Sequence, residues 1–440
     1  MPEPINLLVN ARWIAPVGSE DEVLERHAVA VDGGIIQAVL PQDEARRLYE
    51  PNEAVHLDDH LLIPGLVNLH VHAAMSLMRG IADDLPLMRW LNEAIWPAEG
   101  KQVSHGFVFD GTLLAAAEML MGGITTCNEM YFYPEAAAEA FDQVGMRAVI
   151  GVPLLDFPTP YASGPDEYLR KGLAARDEWR NHPTLRFSLA PHAPYTVSDE
   201  PLERAAILAS ELDLPIHMHI QETAAEVDES LARHGIRPLA RLERLGLLGP
   251  GLIAVHAVHL SDADIDLLCE YDCAVAHCPT SNMKLASGIA PVASMVDKGL
   301  RVGLGTDGAA SNNRLDMFHE MRHAALLAKV STLDATALPA PRVLRMATRD
   351  GARALGLDDR IGSIEVGKRA DLCAVSLEGF ETRPCFDPVS HLVFVCGREH
   401  VSHVWIDGQP RVSNRKLVLQ THNNELLRIS AMWHHKLVGG

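Results

Sequence analysis

No stretch of this 440-residue chain reaches the roughly 18 consecutive apolar residues that cross a bilayer. The start, Met1-Pro2-Glu3-Pro4, has no basic region followed by an apolar core, so we expect neither a leader nor a membrane span, and we expect a cytoplasmic protein. Basic clusters are missing as well. Lys and Arg number 38 against 58 Asp and Glu, a net charge of −20. Such a surface repels nucleic acid and anionic membranes, which leaves a small molecule as the expected partner. The seven cysteines (127, 269, 273, 278, 373, 385 and 396) contain no CxxC pair. Cys273 and Cys278 belong to an apolar, strand-like run and read as buried thiols. There is no internal repeat and no low-complexity linker.

Apolar periodicity divides what is there into two kinds of sequence. Residues 5–60 read as short β pieces (Ile5–Asn10, Ala28–Val31, Gly34–Leu40, Ala54–Leu57) broken by Gly, Pro and acidic turns. Eight apolar runs of strand length follow: Leu66–His72, Ile124–Tyr131, Arg147–Pro153, Leu185–His192, Ile216–Gln221, Leu252–Val258, Cys273–His277 and Val302–Asp307. Most are separated by segments of helical period, such as Phe107–Met121 and Pro201–Leu212. Eight alternations of strand and helix predict an α/β fold, a (β/α)8 TIM-like barrel with a parallel sheet. Two helical stretches, Arg314–Lys329 and Ala340–Leu355, come next, and then β pieces at Asp371–Val375, Val401–Ile406 and Lys416–Val418. The expected division is a barrel over 62–370 and a small, discontinuous β-sandwich from 1–61 and 371–440. Residues 419–440 carry no readable signal.

Histidines and acids gather at the ends of the eight runs: His70 and His72, His192, His219 and Glu222, His256, and Asp307. Barrel chemistry sits at the C-terminal ends of strands, and a doubly wound sheet would instead gather ligands at one switch point. Alternate side chains share a strand face, so His70 and His72 can point at one ion. Three imidazoles and a carboxylate suit Zn²⁺, although Fe²⁺ and Mn²⁺ accept similar donors. On the fifth run both His217 and His219 are available.

Pro64-Gly65-Leu66-Val67-Asn68-Leu69-His70-Val71-His72, the downstream set, and Gly362-Ser363-Ile364-Glu365-Val366-Gly367-Lys368-Arg369-Ala370-Asp371-Leu372 together resemble the amidohydrolase superfamily. Within it the chain is similar to the 5-methylthioadenosine/S-adenosylhomocysteine deaminases, over essentially its whole length. The resemblance implies one zinc ion held by His70, His72, His219 and Asp307, since His219-Ile220-Gln221-Glu222 matches the family's HxxE. His217 then has a supporting role. It implies that Asp307 also takes a proton from the attacking water, that His256 orients that water, and that His192 holds the purine. Glu222 becomes the acid–base group, because attack on a 6-aminopurine requires protonation of the neighbouring ring nitrogen. Glu99, 27 residues after His72, matches the family glutamate that grips both ribose hydroxyls. Leu185–Ala190 has no lysine, whereas two-metal relatives bridge their ions with one there. Relatives of this kind also assemble as homo-oligomers.

The expected reaction is hydrolytic deamination of an adenosine-type nucleoside by water. The loop Asp156-Phe157-Pro158-Thr159-Pro160-Tyr161 is apolar and acidic, and the first cation after it is Arg170; this favours 5′-methylthioadenosine over S-adenosylhomocysteine or adenosine. Another aminated heterocycle (guanine, a triazine) is the alternative substrate, and a metal-free scaffold the alternative to an enzyme. Two motifs compete for attention. His319-Glu320-Met321-Arg322-His323 matches HExxH but lies beyond the last barrel run, with no third ligand nearby. Gly303-Leu304-Gly305-Thr306-Asp307-Gly308 fits GxGxxG but does not open a first βαβ unit. The HxE…PCxxC pattern of other zinc deaminases is absent.

Overall fold

The computed structural model describes residues 1–19, 22–418 and 423–439. Eight parallel strands lie side by side in chain order: Leu66–Val71, Ile124–Met130, Arg147–Leu154, Leu185–Pro191, Ile216–Ile220, Leu252–His256, Ala274–His277 and Arg301–Leu304. The first, second and third are buried along their entire length. Burial on both faces explains why these runs are continuously apolar rather than alternating.

The first and eighth strands meet to close the barrel. The Asp307 amide donates to the His70 carbonyl at 3.0 Å. Alongside it, the Asn68 side chain accepts from the Thr306 amide at 2.9 Å and donates to the Thr306 hydroxyl at 2.8 Å. This approach requires glycine. A Cβ on Gly303 would stand 2.7 Å from Leu69 Cδ2, and one on Gly305 2.9 Å from the His70 amide nitrogen. The glycines of the GxGxxG pattern therefore seat the eighth strand against the first, which brings Asp307 to His70.

The terminal segments pair into one mixed sheet in the order Lys416–Leu417, Gln409–Ser413, Val401–Ile406, Leu372–Ser376, Tyr49–Pro64, Glu3–Ile14, Leu24–Asp32 and Ile35–Pro41. It curls over a core of Val9, Val29, Ile36, Leu62, Leu372 and Trp405, giving the expected small β-sandwich. Glu3–Ile14, Leu24–Asp32 and Tyr49–Pro64 run longer than the pattern predicted. The strand Gln409–Ser413 was not expected because Pro410 interrupts its apolar run. Asp407 and Gly408, with φ of 50° and 70°, form the hairpin turn before it. Arg147 ties the sheet to the third barrel strand, 2.9 Å from both Asp371 and Asp407.

Two helical regions differ from expectation. Ala340–Leu355 is two helices, Ala340–Met346 and Arg349–Ala354. Thr348 between them is non-helical, with φ −134° and ψ −92°. Its hydroxyl donates back to the Leu344 carbonyl at 2.6 Å, a local bond that competes with helix continuation. Asn423–Gly439 is a helix whose Trp433 packs edge-on against Phe107 and donates to Asp110 at 2.7 Å. Residues 419–422 and 440 lie outside the described residues.

Replacing Asn68 with Ala would leave the buried Thr306 amide unpaired at the barrel seam. A loss of about 1–3 kcal/mol is expected from the urea unfolding midpoint at unchanged slope.

Candidate active site

Four donor atoms converge where the strands end. His70 Nε2 is 3.2 Å and His72 Nε2 3.3 Å from the same Asp307 oxygen, and His219 Nε2 is 3.3 Å from His70 Nε2. A tetrahedral ion with bonds of about 2.0–2.1 Å places neighbouring donors about 3.3 Å apart. The separations therefore fit a zinc-sized divalent ion.

Each ring is aimed by its other nitrogen. His72 Nδ1 donates to the Met130 carbonyl and His219 Nδ1 donates to the His192 carbonyl at 2.7 Å. His70 Nδ1 lies 2.9 Å from His217 Nε2. All three Nε2 lone pairs are left facing one point, which is how metal-binding histidines are held. His217 thus sits behind His70 and not at the point of convergence, as expected.

The carboxylate is held equally tightly. Asp307 Oδ2 accepts from the Ser281 and Ser311 hydroxyls at 2.6 and 2.8 Å, and Oδ1 accepts from the Gly308 amide at 2.7 Å. Burial alone would raise its pKa, but His70 and His72 bring it well below the usual carboxylate range. Burial drives the His70 imidazole down to about 3. Burial acts on His72 in the same direction, but the Asp307 carboxylate overrides it and raises that ring to about 9. A cation held by these donors would displace any proton from His72 Nε2, because a ligating imidazole must be neutral. Asp307 and His256 both have left-handed backbones, with φ of 60° and 68°. Strain of this kind costs about 1–3 kcal/mol per residue and persists where surroundings enforce it.

The donor cluster opens into a cavity of about 340 Å³, within the range of small-ligand sites. His72, His192, His219, Glu222, His256, Asp307 and Glu99 all line it, so these seven site candidates face one space, with His70 just behind it. His256 Nδ1 donates to Asn282 Oδ1 at 2.9 Å, leaving Nε2 towards Glu222, 3.7 Å away. Burial raises the Glu222 carboxyl above its usual range, partly offset by His256. Ser287 donates to Glu222 at 3.1 Å, and His259 holds the Ser287 carbonyl at 2.7 Å. His192 is fixed by Thr196 at 2.9 Å. Glu99 accepts from the Tyr131 hydroxyl at 2.6 Å, and burial pushes its pKa up to about 7 against that pull.

Sequence reasoning missed Ser281, Asn282, Ser287, Ser311 and Tyr131. Polar loop residues after strands are too common to single out without their partners. The HExxH residues do not gather at a metal-binding cluster among the described residues.

The amidohydrolase family profile matches residues 61–411. A 5-methylthioadenosine/S-adenosylhomocysteine deaminase from Saccharophagus degradans is 49% identical over 94% of this chain and 93% of its own. The structure of an adenosine deaminase from Xanthomonas campestris with bound zinc is 48% identical, covers 100% of both chains and superposes with a TM-score of 0.99. A zinc-complexed atrazine chlorohydrolase from Arthrobacter aurescens, 24% identical over 97% of this chain and 99% of its own, shares the fold with a TM-score of 0.91. The profile spans the barrel and the C-terminal strands Leu372–Ser376 and Val401–Ile406 of the terminal sheet, and the likeness to the Saccharophagus protein extends over nearly the whole length. The chain therefore belongs to the amidohydrolase family, in the group of the 5-methylthioadenosine/S-adenosylhomocysteine deaminases.

Proposed function

We propose that this protein is a zinc-dependent aminohydrolase that converts an adenosine-type nucleoside and water into the inosine analogue and ammonia, with 5′-methylthioadenosine as its preferred substrate. One observation carries the reading: the donors His70, His72 and His219, with the Asp307 carboxylate 3.2 and 3.3 Å from the first two, open into the same cavity as a buried carboxyl, Glu222, and a second carboxyl, Glu99. His70, His72, His219 and Asp307 would hold the ion. Zinc, when bound, supplies Lewis acidity that brings the pKa of water from about 16 to roughly 7.

The chain's own groups do the rest. Asp307 accepts a proton from the attacking water, and His256 Nε2 accepts its other hydrogen, which aims the oxygen at C6 of the purine. Burial raises Glu222 above the usual carboxylate range, which favours its protonated form. It donates that proton to the adjacent ring nitrogen, which makes C6 electrophilic. Asp307 then returns its proton to the exocyclic amine, which leaves as ammonia; the remaining hydroxyl proton passes by way of His256 to the Glu222 carboxylate 3.7 Å away, restoring the acid as the C6–oxygen double bond forms. His192 holds the base, and Glu99 accepts from the two ribose hydroxyls.

The 5′ end of the cavity is lined by Trp90, Leu91, Trp96, Phe157, Pro158 and Pro160, and no Lys or Arg lines it. Arg170 faces solvent beside Glu167 at 3.5 Å. An S-methyl group suits these walls. S-adenosylhomocysteine is the second reading, because a further depression beyond Trp96, Phe157 and Tyr195 carries Glu229 and Arg233, and an amino-acid tail needs one group of each sign. Seven unpaired cysteines support a reducing cytoplasm. Phe380 and Phe386, 92% and 91% exposed, support a homo-oligomer.

Zinc-loaded protein should release ammonia fastest from 5′-methylthioadenosine in a panel with S-adenosylhomocysteine, adenosine, guanine and a triazine. No release from any of the three nucleosides sinks the reading. Glu222→Gln should lower kcat by about 10²–10⁴-fold with zinc content unchanged. Glu99→Ala should raise the nucleoside KM by about 10- to 100-fold, the worth of a charge-assisted hydrogen-bond pair, and leave adenine turnover unaffected. Because Glu99 must be ionised to accept both hydroxyls, and its carboxylate is lost as pH falls through about 7, wild-type KM should climb below that pH. Equal losses for base and nucleoside would show that the ribose contact does not exist.

A further inference from the structure

The helix Met317–Thr332 follows the last barrel strand and carries the HExxH residues, none of which the reaction above uses. Glu320 within it is fully buried. Its Oε2 accepts from the Thr280 backbone amide at 3.1 Å, and its Oε1 accepts from the Asn312 side-chain amide at 2.8 Å. His323, one turn on, holds the Thr280 hydroxyl at 2.8 Å. Glu320 thus bridges the connections after the seventh and eighth strands, the first of which is the short helix Pro279–Lys284.

Those connections carry the groups that set the acid–base machinery. Thr280 is followed by Ser281, which donates to Asp307, and by Asn282, which fixes the His256 ring. Asn312 is preceded by Ser311, the second donor to Asp307, and donates at 2.6 Å to the carbonyl of Thr306, the residue before Asp307. Both bonds from Glu320 therefore end one or two residues from a contact on Asp307 or His256. Glu320 and Asn312 are both buried, and displacing either would leave the other unsatisfied.

We propose that Glu320 is a positioning residue for the deamination, bridging Thr280 and Asn312 so that Ser281 and Ser311 hold Asp307 and Asn282 holds His256. This rests on the proposed function for its catalytic consequence but not for its effect on the ion site. Only a carboxylate offers acceptor oxygens to both partners at once. Glutamine has the same volume but must present an NH₂ group to one of the two N–H donors, which opens one half of the bridge.

The test compares wild type, Glu320→Gln, Asn312→Ala, the double variant and His319→Ala. Each is scored for zinc affinity by chelator competition, for kcat and KM with 5′-methylthioadenosine, and for thermal midpoint. Supporting groups behind metal-binding residues are worth about 10- to 100-fold in affinity or rate. We expect Glu320→Gln to lose zinc affinity and kcat by about that factor, with KM within threefold. Asn312→Ala should do the same, the double variant should be little worse than either, and His319→Ala should match wild type. The proposal is overturned if Glu320→Gln keeps both zinc affinity and kcat within twofold, if its losses scale only with the folded fraction, or if the two single effects add independently. Should wild type fail to deaminate any nucleoside, the proposed function falls and the zinc-affinity arm still decides the role of Glu320.

Discussion

The arrangement depends on keeping one carboxylate ionised in a buried site. Stripping Asp307 of water is costly, and the fold offsets this with two serine hydroxyls, one backbone amide and the neighbouring imidazoles. The Gly308 amide and the Ser311 hydroxyl are local to Asp307, but the others are not. Ser281 comes from the short helix after the seventh strand, and the imidazoles come from the end of the first. The barrel must close accurately for these distant groups to reach, which gives the Asn68–Thr306 bonds and the glycines at 303 and 305 their significance.

The same economy governs the histidines. Each donates or points its Nδ1 to a partner in the protein, so Nε2 is committed before any ion arrives. Orientation settled in folding does not have to be settled again on binding. Glu222 and Glu99 face the same cavity, and burial raises both. Yet their tasks are opposite: Glu222 is suited to giving a proton, while Glu99 must lose its own before it can accept from two hydroxyls. Their places in the cavity make the difference, since Glu222 lies 3.7 Å from His256 beside the metal donors, whereas Glu99 accepts from Tyr131.

Much of this was legible in the sequence. Continuous apolar runs marked the eight buried strands, and histidines or acids at their ends marked the face that carries the cavity. His219 was separable from His217 only through the nearby Glu222, and the structure shows His217 supporting His70 from behind. Other features were not legible because they depend on long-range partners. Ser281 matters through a carboxylate 26 residues away, and nothing in its own sequence surroundings says so. Pro410 hid a strand, and the Thr348 hydroxyl broke a helix that periodicity had made continuous. The GxGxxG and HExxH patterns are real features with uses other than the ones their motifs suggest. One allows two strands to touch, and the other braces the connections behind the site.

The central claim is that four donors from distant segments enclose a single ion on which deamination depends. The most direct test is to titrate zinc into metal-free protein while following ammonia release from 5′-methylthioadenosine. Activity should rise in proportion to added metal and level off at one equivalent per chain. A plateau only at two equivalents, or full activity without metal, would contradict it.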